Sequence, residues 1–217
     1  MPILLIFAVV VPYLLGSIPF GYILVRIFRG EDVRNLGSGN IGATNVARKS
    51  PVLGIATLAL DALKGFLAVG IALTVSPHLQ IVLDGGTSPF LHAAPWQNPV
   101  PALAAVFAIL GHMYPVWLKF KGGKGVATLM GIVLALHWPI GLIYALVWLG
   151  LLAVLRISSV AGMVAAISAP VTAAVLGDFD TVFLLVALAL IVLWKHRANV
   201  ERLIQGNEPR IGAKKDG

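Results

Sequence analysis

The sequence predicts an all-α, polytopic membrane helix bundle of about seven transmembrane helices, with the amino terminus outside and the carboxyl terminus cytoplasmic. Composition is the first observation behind this. Of 217 residues, 59% are hydrophobic and 12% charged, against roughly 45–50% and about 25% in a soluble domain. The mean hydropathy is +0.93. The second is that the apolar residues fall in long runs broken by polar or glycine-rich stretches. Backbone surrounded by lipid must satisfy its own hydrogen bonds, as a helix does. The third is the placement of the 16 Lys and Arg residues, which occupy alternate connections or the carboxyl-terminal tail.

The runs cover residues 3–28, 52–75, 101–118, 126–136, 139–155, 160–176 and 181–194. The first has no basic leader segment and no small-residue cleavage pattern, and it continues straight into Arg26, so it reads as a retained span rather than a secretory signal. The second carries Asp61 and Lys64 three residues apart; charges inside a membrane are costly and usually pair, so an internal ion pair is expected. The third leads into His112, Tyr114 and Pro115. At about 1.5 Å per residue the fourth and seventh runs fall short of an apolar core about 30 Å thick. They either extend into polar flanks or form half-buried helices. The connection 76–100 contains prolines, Phe90 and Trp96 but no cation, and reads as an interfacial loop. No internal repeat or low-complexity tract appears.

Seven crossings place the termini on opposite sides. Arg26, Arg29, Arg34, Arg48, Lys49 and Lys64 lie in or near the first connection, Lys119, Lys121 and Lys124 in the third, and Arg156 in the fifth. Lys195, Arg197, Arg202, Arg210, Lys214 and Lys215 follow the last run. The positive-inside rule makes this basic side cytoplasmic. With no cysteine in the chain, a disulfide framework, a thiolate nucleophile and a Cys-based metal site are excluded.

Three stretches on the basic side carry chemistry; the motif loops lie near 29–50, 119–125, 156–159 and 195–210. The first connection contains Gly37-Ser38-Gly39-Asn40-Ile41-Gly42-Ala43-Thr44-Asn45-Val46-Ala47-Arg48. Its glycines allow tight turns that face N–H groups into a concavity suited to an anion. Ser38, Asn40, Thr44 and Asn45 add side-chain donors, and Arg48 adds a planar fork that fits phosphate oxygens. A plain connector with helix-capping residues needs far fewer such groups.

The second stretch, Lys119-Phe120-Lys121-Gly122-Gly123-Lys124-Gly125, opens the fourth run. N–H groups at a helix start beside glycines and a lysine suit phosphate by geometry and dipole. It is not a Walker A loop, because Gly125 stands where Ser or Thr is required. A simple headgroup anchor would explain the lysines but leave the glycines without a role. The third stretch is Trp194-Lys195-His196-Arg197-Ala198-Asn199-Val200-Glu201-Arg202, then Gly206-Asn207-Glu208-Pro209-Arg210. On a continuing helix His196, Asn199 and Arg202 would stack on one side. Ser158 and Ser159 sit beside Arg156. Glu201 and Glu208 read as partners of neighbouring arginines. No motif holds carboxylate ligands for a metal, so Arg48, Lys124 and Arg202 must themselves neutralise phosphate.

In this order, and across nearly the whole chain, three sets of residues resemble the three motifs of the PlsY family, bacterial acyl-phosphate:glycerol-3-phosphate acyltransferases of the inner membrane. They are Ser38 to Asn45 with Arg48; Gly111-His112-Met113-Tyr114-Pro115 leading to Lys119–Gly125; and Lys195-His196-Arg197-Ala198-Asn199 with Glu208. Asp61-Ala62-Leu63-Lys64-Gly65 also resembles a family segment. The resemblance implies one integral membrane domain, 1–217, that moves a fatty acyl group from acyl phosphate to the 1-hydroxyl of glycerol 3-phosphate. Lysophosphatidate and phosphate are the products, in the first acylation of phospholipid synthesis.

Carried over by motif, the catalytic residues are Ser38, Arg48, Lys124, His196 and Asn199. Substrate contacts are expected from Gly37, Gly39, Asn40, Gly42, Thr44, Asn45, Lys119, Gly122, Gly123, Gly125, Ser159 and Arg202, with Asp61, Lys64 and Glu208 structural. No metal or cofactor is implied. The partners are the two substrates, membrane lipid and the enzyme that makes acyl phosphate, with no nucleic acid. Gly162 departs from the pattern, standing where many members have a second serine; Ser158 is the available substitute. The connection 76–100 is longer than the family leads one to expect. The alternative is a membrane transporter of a phosphorylated metabolite. It lacks support from repeated halves or polar breaks near the midplane. A His-x-x-x-x-Asp acyltransferase is excluded, since none of the 5 histidines has Asp at that spacing. The 9 acidic residues are too scattered for a metal-dependent CDP-alcohol phosphotransferase, and an inert scaffold leaves the loops unexplained.

Overall fold

A computed structural model describes residues 2–83 and 99–212. All regular structure among them is helical: α1 (Pro2–Ser17), α2 (Phe20–Arg29), α3 (Ala43–Ala47), α4 (Pro51–Leu83), α5 (Pro99–Met113), α6 (Val126–Leu136), α7 (Trp138–Leu155), α8 (Ser158–Val175), α9 (Phe179–Lys195) and α10 (Arg197–Ile204), with short 3-10 turns at Val33–Asn35 and Val116–Leu118. Residues 84–98 of the expected interfacial loop, with Phe90 and Trp96, lie outside the described residues, as do Lys214 and Lys215.

The apolar runs are helical, with four changes of outline, one of them the end of α5 at Met113, after which the run 101–118 finishes in the 3-10 turn Val116–Leu118. The first run divides at Ile18 and Pro19 into α1 and α2. Proline has no N–H to give and pushes the residue before it out of helical geometry. The second run continues past residue 75 through Pro77 to Leu83. The last apolar run ends in a bend of 57° between α9 and α10, so the helix does not continue straight through His196. Among the described residues, five helical stretches are long and apolar enough to cross a membrane. The bent α9–α10 pair makes a sixth if taken as one span. Helix α6, with 11 residues, is shorter. Large apolar side chains point outward, with Val154 79%, Val175 80% and Phe183 82% exposed. Lipid, not water, accommodates such a surface. The fold is that of an all-α integral membrane protein.

The helices fall into two compact units, each built from two separate stretches of chain. The first unit comprises Met1–Pro19 and Ala59–Trp138. Within it α1 packs on α5 and α5 on α6. The α1–α5 crossing is set by glycines: a Cβ on Gly16 would run into the Ala108 carbonyl, and one on Gly111 into the Tyr13 carbonyl. Helices α4 and α6 repeat the device, with Gly65 against the carbonyl of Thr128 and Gly131 against that of Ala62. Lipid offers no hydrophobic gain for helix association, so small residues that bring backbones together provide the packing. The Tyr13 hydroxyl donates to the Tyr114 carbonyl at 2.8 Å, tying α1 to the segment after α5.

The second unit comprises Phe20–Leu58 and Pro139–Gly217. Its main packing is α8 on α9, through a buried alanine face on α8 that includes Ala161, Ala165, Ala169 and Ala173. The turn between them uses Gly177 at φ 78 and Asp178, whose carboxylate accepts from the Thr181 N–H at 3.3 Å and hydroxyl at 2.8 Å. Helix α2 packs on the first 3-10 turn and on α3.

Candidate active site

In the second unit, the loop between α2 and α4 begins with Asp32, which caps the 3-10 turn by accepting from the Arg34 N–H at 2.9 Å. The Arg34 side chain returns to the same carboxylate, with Nη2 2.6 Å from Oδ2, and its guanidinium lies 5.2 Å from the Tyr22 ring centre. That hydrogen-bonded cation holds the Asp32 carboxyl below the usual range. Gly37 and Gly39 then take left-handed conformations, φ 49 and 69, which a side chain would oppose.

Asn45 holds the loop closed. Its Oδ1 accepts from the Ser38 N–H at 3.0 Å, and its Nδ2 donates towards the carbonyls of Val33, Leu36 and Asn40 at 3.2, 3.0 and 2.8 Å. Asn45 is buried at the start of α3, after Gly42 at the N-cap and Thr44. The amide expected to face a ligand is thus engaged within the loop. Ser38 and Arg48 are exposed. Arg48, at the end of α3, lays its side chain beside Gly37: a Cβ there would sit 3.3 Å from Arg48 Cδ and 3.5 Å from Nη1. The structure therefore sets the Arg48 side chain beside Gly37, the residue that precedes Ser38.

His196, at the junction of α9 and α10, is buried, and its Nδ1 lies 2.8 Å from the Val192 carbonyl. A carbonyl can only accept, so Nδ1 carries the proton and, in the neutral ring, Nε2 holds the lone pair. Asn199 and Arg202 do share a side of α10, and both meet Glu208. Asn199 Nδ2 donates to Oε1 at 2.6 Å, Arg202 Nε to Oε2 at 2.8 Å, and the Ser159 hydroxyl to Oε1 at 2.6 Å. Burial pushes the Glu208 carboxyl up, but these donors and the Arg202 charge outweigh it, and its pKa lies below the ordinary value. Ser159 and Arg202, expected to contact substrate, thus make their observed contacts with Glu208. The chain beyond α10 is also tied to the α7–α8 turn, where the Ile211 N–H donates to the carbonyl of Arg156 at 2.7 Å.

In the first unit, Lys119 and Phe120 adopt left-handed backbone, φ 52 and 62, and turn the chain back on the end of α5. The Gly122 N–H donates to the Met113 carbonyl and the Gly123 N–H to that of His112, each at 3.1 Å. A Cβ on Gly122 would meet the His112 carbonyl and the Pro115 ring, and one on Gly123 the His112 imidazole. These glycines serve close packing, and their N–H groups are engaged inside the protein. Gly125, at φ 86, starts α6; Lys124 is half-buried, while Lys119 is exposed. Behind the loop, Lys64 Nζ lies 2.7 Å from Asp61 Oδ1 and donates to the Ile18 carbonyl at 2.8 Å, and His112 Nδ1 stands 3.7 Å from the same carboxylate oxygen. His112 was visible in sequence only as a neighbour of the loop. The signal for more was its place at a helix end, on a span that could face the one carrying Asp61.

The fold and these loops define an integral membrane protein that carries serine, histidine, asparagine and cations in loops and at helix ends. The family model for glycerol-3-phosphate acyltransferase matches residues 6–206. The chain belongs to the glycerol-3-phosphate acyltransferase family. It is 47% identical over 208 residues to a glycerol-3-phosphate acyltransferase of Erythrobacter litoralis, covering 95% of each chain. It is 46% identical over 211 residues to one of Mesorhizobium japonicum, covering 97% of each. Among solved structures it resembles PlsY, an integral membrane glycerol 3-phosphate acyltransferase, in its glycerol 3-phosphate form, with TM-score 0.81, 37% identity and 96% of each chain covered. The lysophosphatidic acid form of PlsY matches with TM-score 0.78 and 35% identity, over 96% of this chain and 95% of that one.

Proposed function

We propose that this chain is an enzyme, acting as one domain over 1–217, that transfers a fatty acyl group from acyl phosphate to the 1-hydroxyl of sn-glycerol 3-phosphate. The observation that carries the reading is the closed loop that exposes Ser38 and lays the exposed Arg48 beside Gly37. Family membership supplies the acceptor, since the related structures are described in glycerol 3-phosphate and lysophosphatidic acid forms. Acyl phosphate is a mixed anhydride with a good leaving group. The enzyme's task is to hold two anionic head groups together, offset their repulsion and align hydroxyl with carbonyl.

In the reaction the 1-hydroxyl oxygen attacks the acyl carbon, the carbon–oxygen bond to phosphate breaks, and the hydroxyl proton leaves. Arg48 and Lys124 carry the countercharge, and Arg202 pairs with Glu208. Ser38 orients the reacting groups by hydrogen bonding. Asn199 and Ser159 act through Glu208, holding the segment after His196 in place. His196 Nε2 and the departing phosphate are the alternative acceptors of that one proton, and His196→Gln separates them: loss of turnover at unchanged KM assigns the proton to His196. The one-sided cations support a cytoplasmic placement of the loops in a bacterial inner membrane, with the enzyme that supplies acyl phosphate as the partner in this reading.

The test is purified protein with labelled glycerol 3-phosphate and, in parallel, acyl phosphate, acyl-CoA or acyl carrier protein. Lysophosphatidate from acyl phosphate alone is expected. Formation from acyl-CoA alone overturns the donor assignment, and counterflow of glycerol 3-phosphate without acyl product overturns the enzyme reading in favour of a transporter.

A further inference from the structure

We propose that His112 is a positioning residue for the glycine loop 119–125, its imidazole acting as a spacer between the Asp61–Lys64 ion pair and the backbone of Gly123. The proposal rests on the reading of that loop as part of the glycerol 3-phosphate site. The geometry lies entirely within the first unit. His112 is 4% exposed, Asp61 2% and Lys64 3%. The Nδ1 edge of the ring faces Asp61 Oδ1 at 3.7 Å. The opposite edge faces the loop: a Cβ on Gly123 would overlap His112 Nε2, with Cε1 and Cδ2 the next atoms met. The ring thus fills the distance between carboxylate and loop.

The main chain of the same residue is also used, since the His112 carbonyl accepts the Gly123 N–H at 3.1 Å and the Met113 carbonyl accepts that of Gly122 at 3.1 Å. Two backbone bonds and one ring therefore set the height at which the chain passes from Gly122 to Lys124. The ring is backed by an ion pair that is itself anchored just past the end of α1 through Lys64 Nζ and the Ile18 carbonyl at 2.8 Å. A buried carboxylate beside one cation is fixed in place, because leaving its partner would strand a charge in a low-dielectric interior. This gives the charged residues of α4 a purpose beyond pairing: they hold a histidine that holds the loop.

The size relation between residues 112 and 123 makes the test. Purified Gly123→Ala, His112→Ala and the double variant are compared with the unaltered enzyme, varying glycerol 3-phosphate at saturating acyl phosphate. Thermal unfolding is followed on the same samples. Each single change is expected to raise the KM for glycerol 3-phosphate roughly tenfold or more with a smaller change in kcat, as a displaced loop would. The double variant is expected to recover much of the Gly123→Ala defect, because removing the ring opens the space the new methyl needs. If His112→Ala does not purify, His112→Asn, which keeps an amide towards Asp61, replaces it. KM effects that multiply independently in the double variant overturn the proposal, as does a fall in kcat alone.

Lys124→Ala tests the underlying reading separately. An unchanged KM there removes the loop from the glycerol 3-phosphate site. In that event coupling of residues 112 and 123 in the unfolding data still upholds the spacer geometry, and its absence overturns that as well.

Discussion

Asn45 shows how much a single side chain can organise. One amide serves four backbone groups of the loop that presents Ser38, so its replacement by Ala leaves several buried or half-buried partners without a bond. Asn45→Ala is expected to lower stability by about 1–3 kcal/mol and turnover by roughly a hundredfold. Ser38→Ala should abolish transfer with little change in unfolding temperature. Unfolding curves and single-turnover rates on both variants check the contrast. Glu208 makes a pH prediction with a definite sign. Its carboxyl titrates lower in the folded protein than in the unfolded chain, so its stabilising contribution is present above the ordinary carboxylate range and is lost as the pH falls through the folded value. The unfolding-temperature difference between the unaltered protein and Glu208→Gln should therefore shrink on acidification. A gap that widened would contradict the assignment. At this scale the sequence revealed which residue types gather, but not which of them face outward. Asn45 and Ser159 read as ligand donors because their partners, Val33 and Glu208 among them, lie far along the chain.

At the scale of helices, close approach decides the packing. The crossings of α1 with α5 and of α4 with α6 each put two glycines against opposing carbonyls, and an added methyl must push the helices apart. Gly131→Ala is expected to cost about 1–3 kcal/mol. Gly70→Ala on α4, where a Cβ meets nothing within 4 Å, should be neutral or slightly stabilising through helix propensity. Thermal denaturation of the two variants side by side checks this; equal losses would mean that crossing contacts do not set the stability. The helices were legible because lipid allows few alternatives to a continuous apolar run. Their interruptions were less so. The break at Pro19 lies in a run whose hydropathy carries on without change, and the bend at His196 falls where the apolar run gives way to a polar stretch that could equally have continued the helix. The glycine crossings were equally hidden, since a glycine against a backbone and a glycine facing lipid look the same in one sequence.

For the whole molecule, the placement of the 16 Lys and Arg residues predicts the orientation. The basic residues occupy alternate connections or the tail, and the reading of the loops as one catalytic apparatus requires the stretches around Ser38, Lys124 and His196 to face the same side of the membrane. This is open to direct measurement because the chain contains no cysteine, so a single introduced thiol reports one location without background. Three exposed sites outside the catalytic groups serve: Lys121→Cys in the second loop, Glu201→Cys on α10 and Asp180→Cys at the start of α9. In intact spheroplasts a membrane-impermeant maleimide should label Asp180→Cys. It should reach Lys121→Cys and Glu201→Cys only after permeabilisation, while all three variants keep acyl transfer. Residues 121 and 201 belong to different compact units, so their shared protection tests the placement of both units' loops on one side. Labelling of either in intact spheroplasts would put the motifs on opposite faces, and no single site could then use Lys124 together with His196.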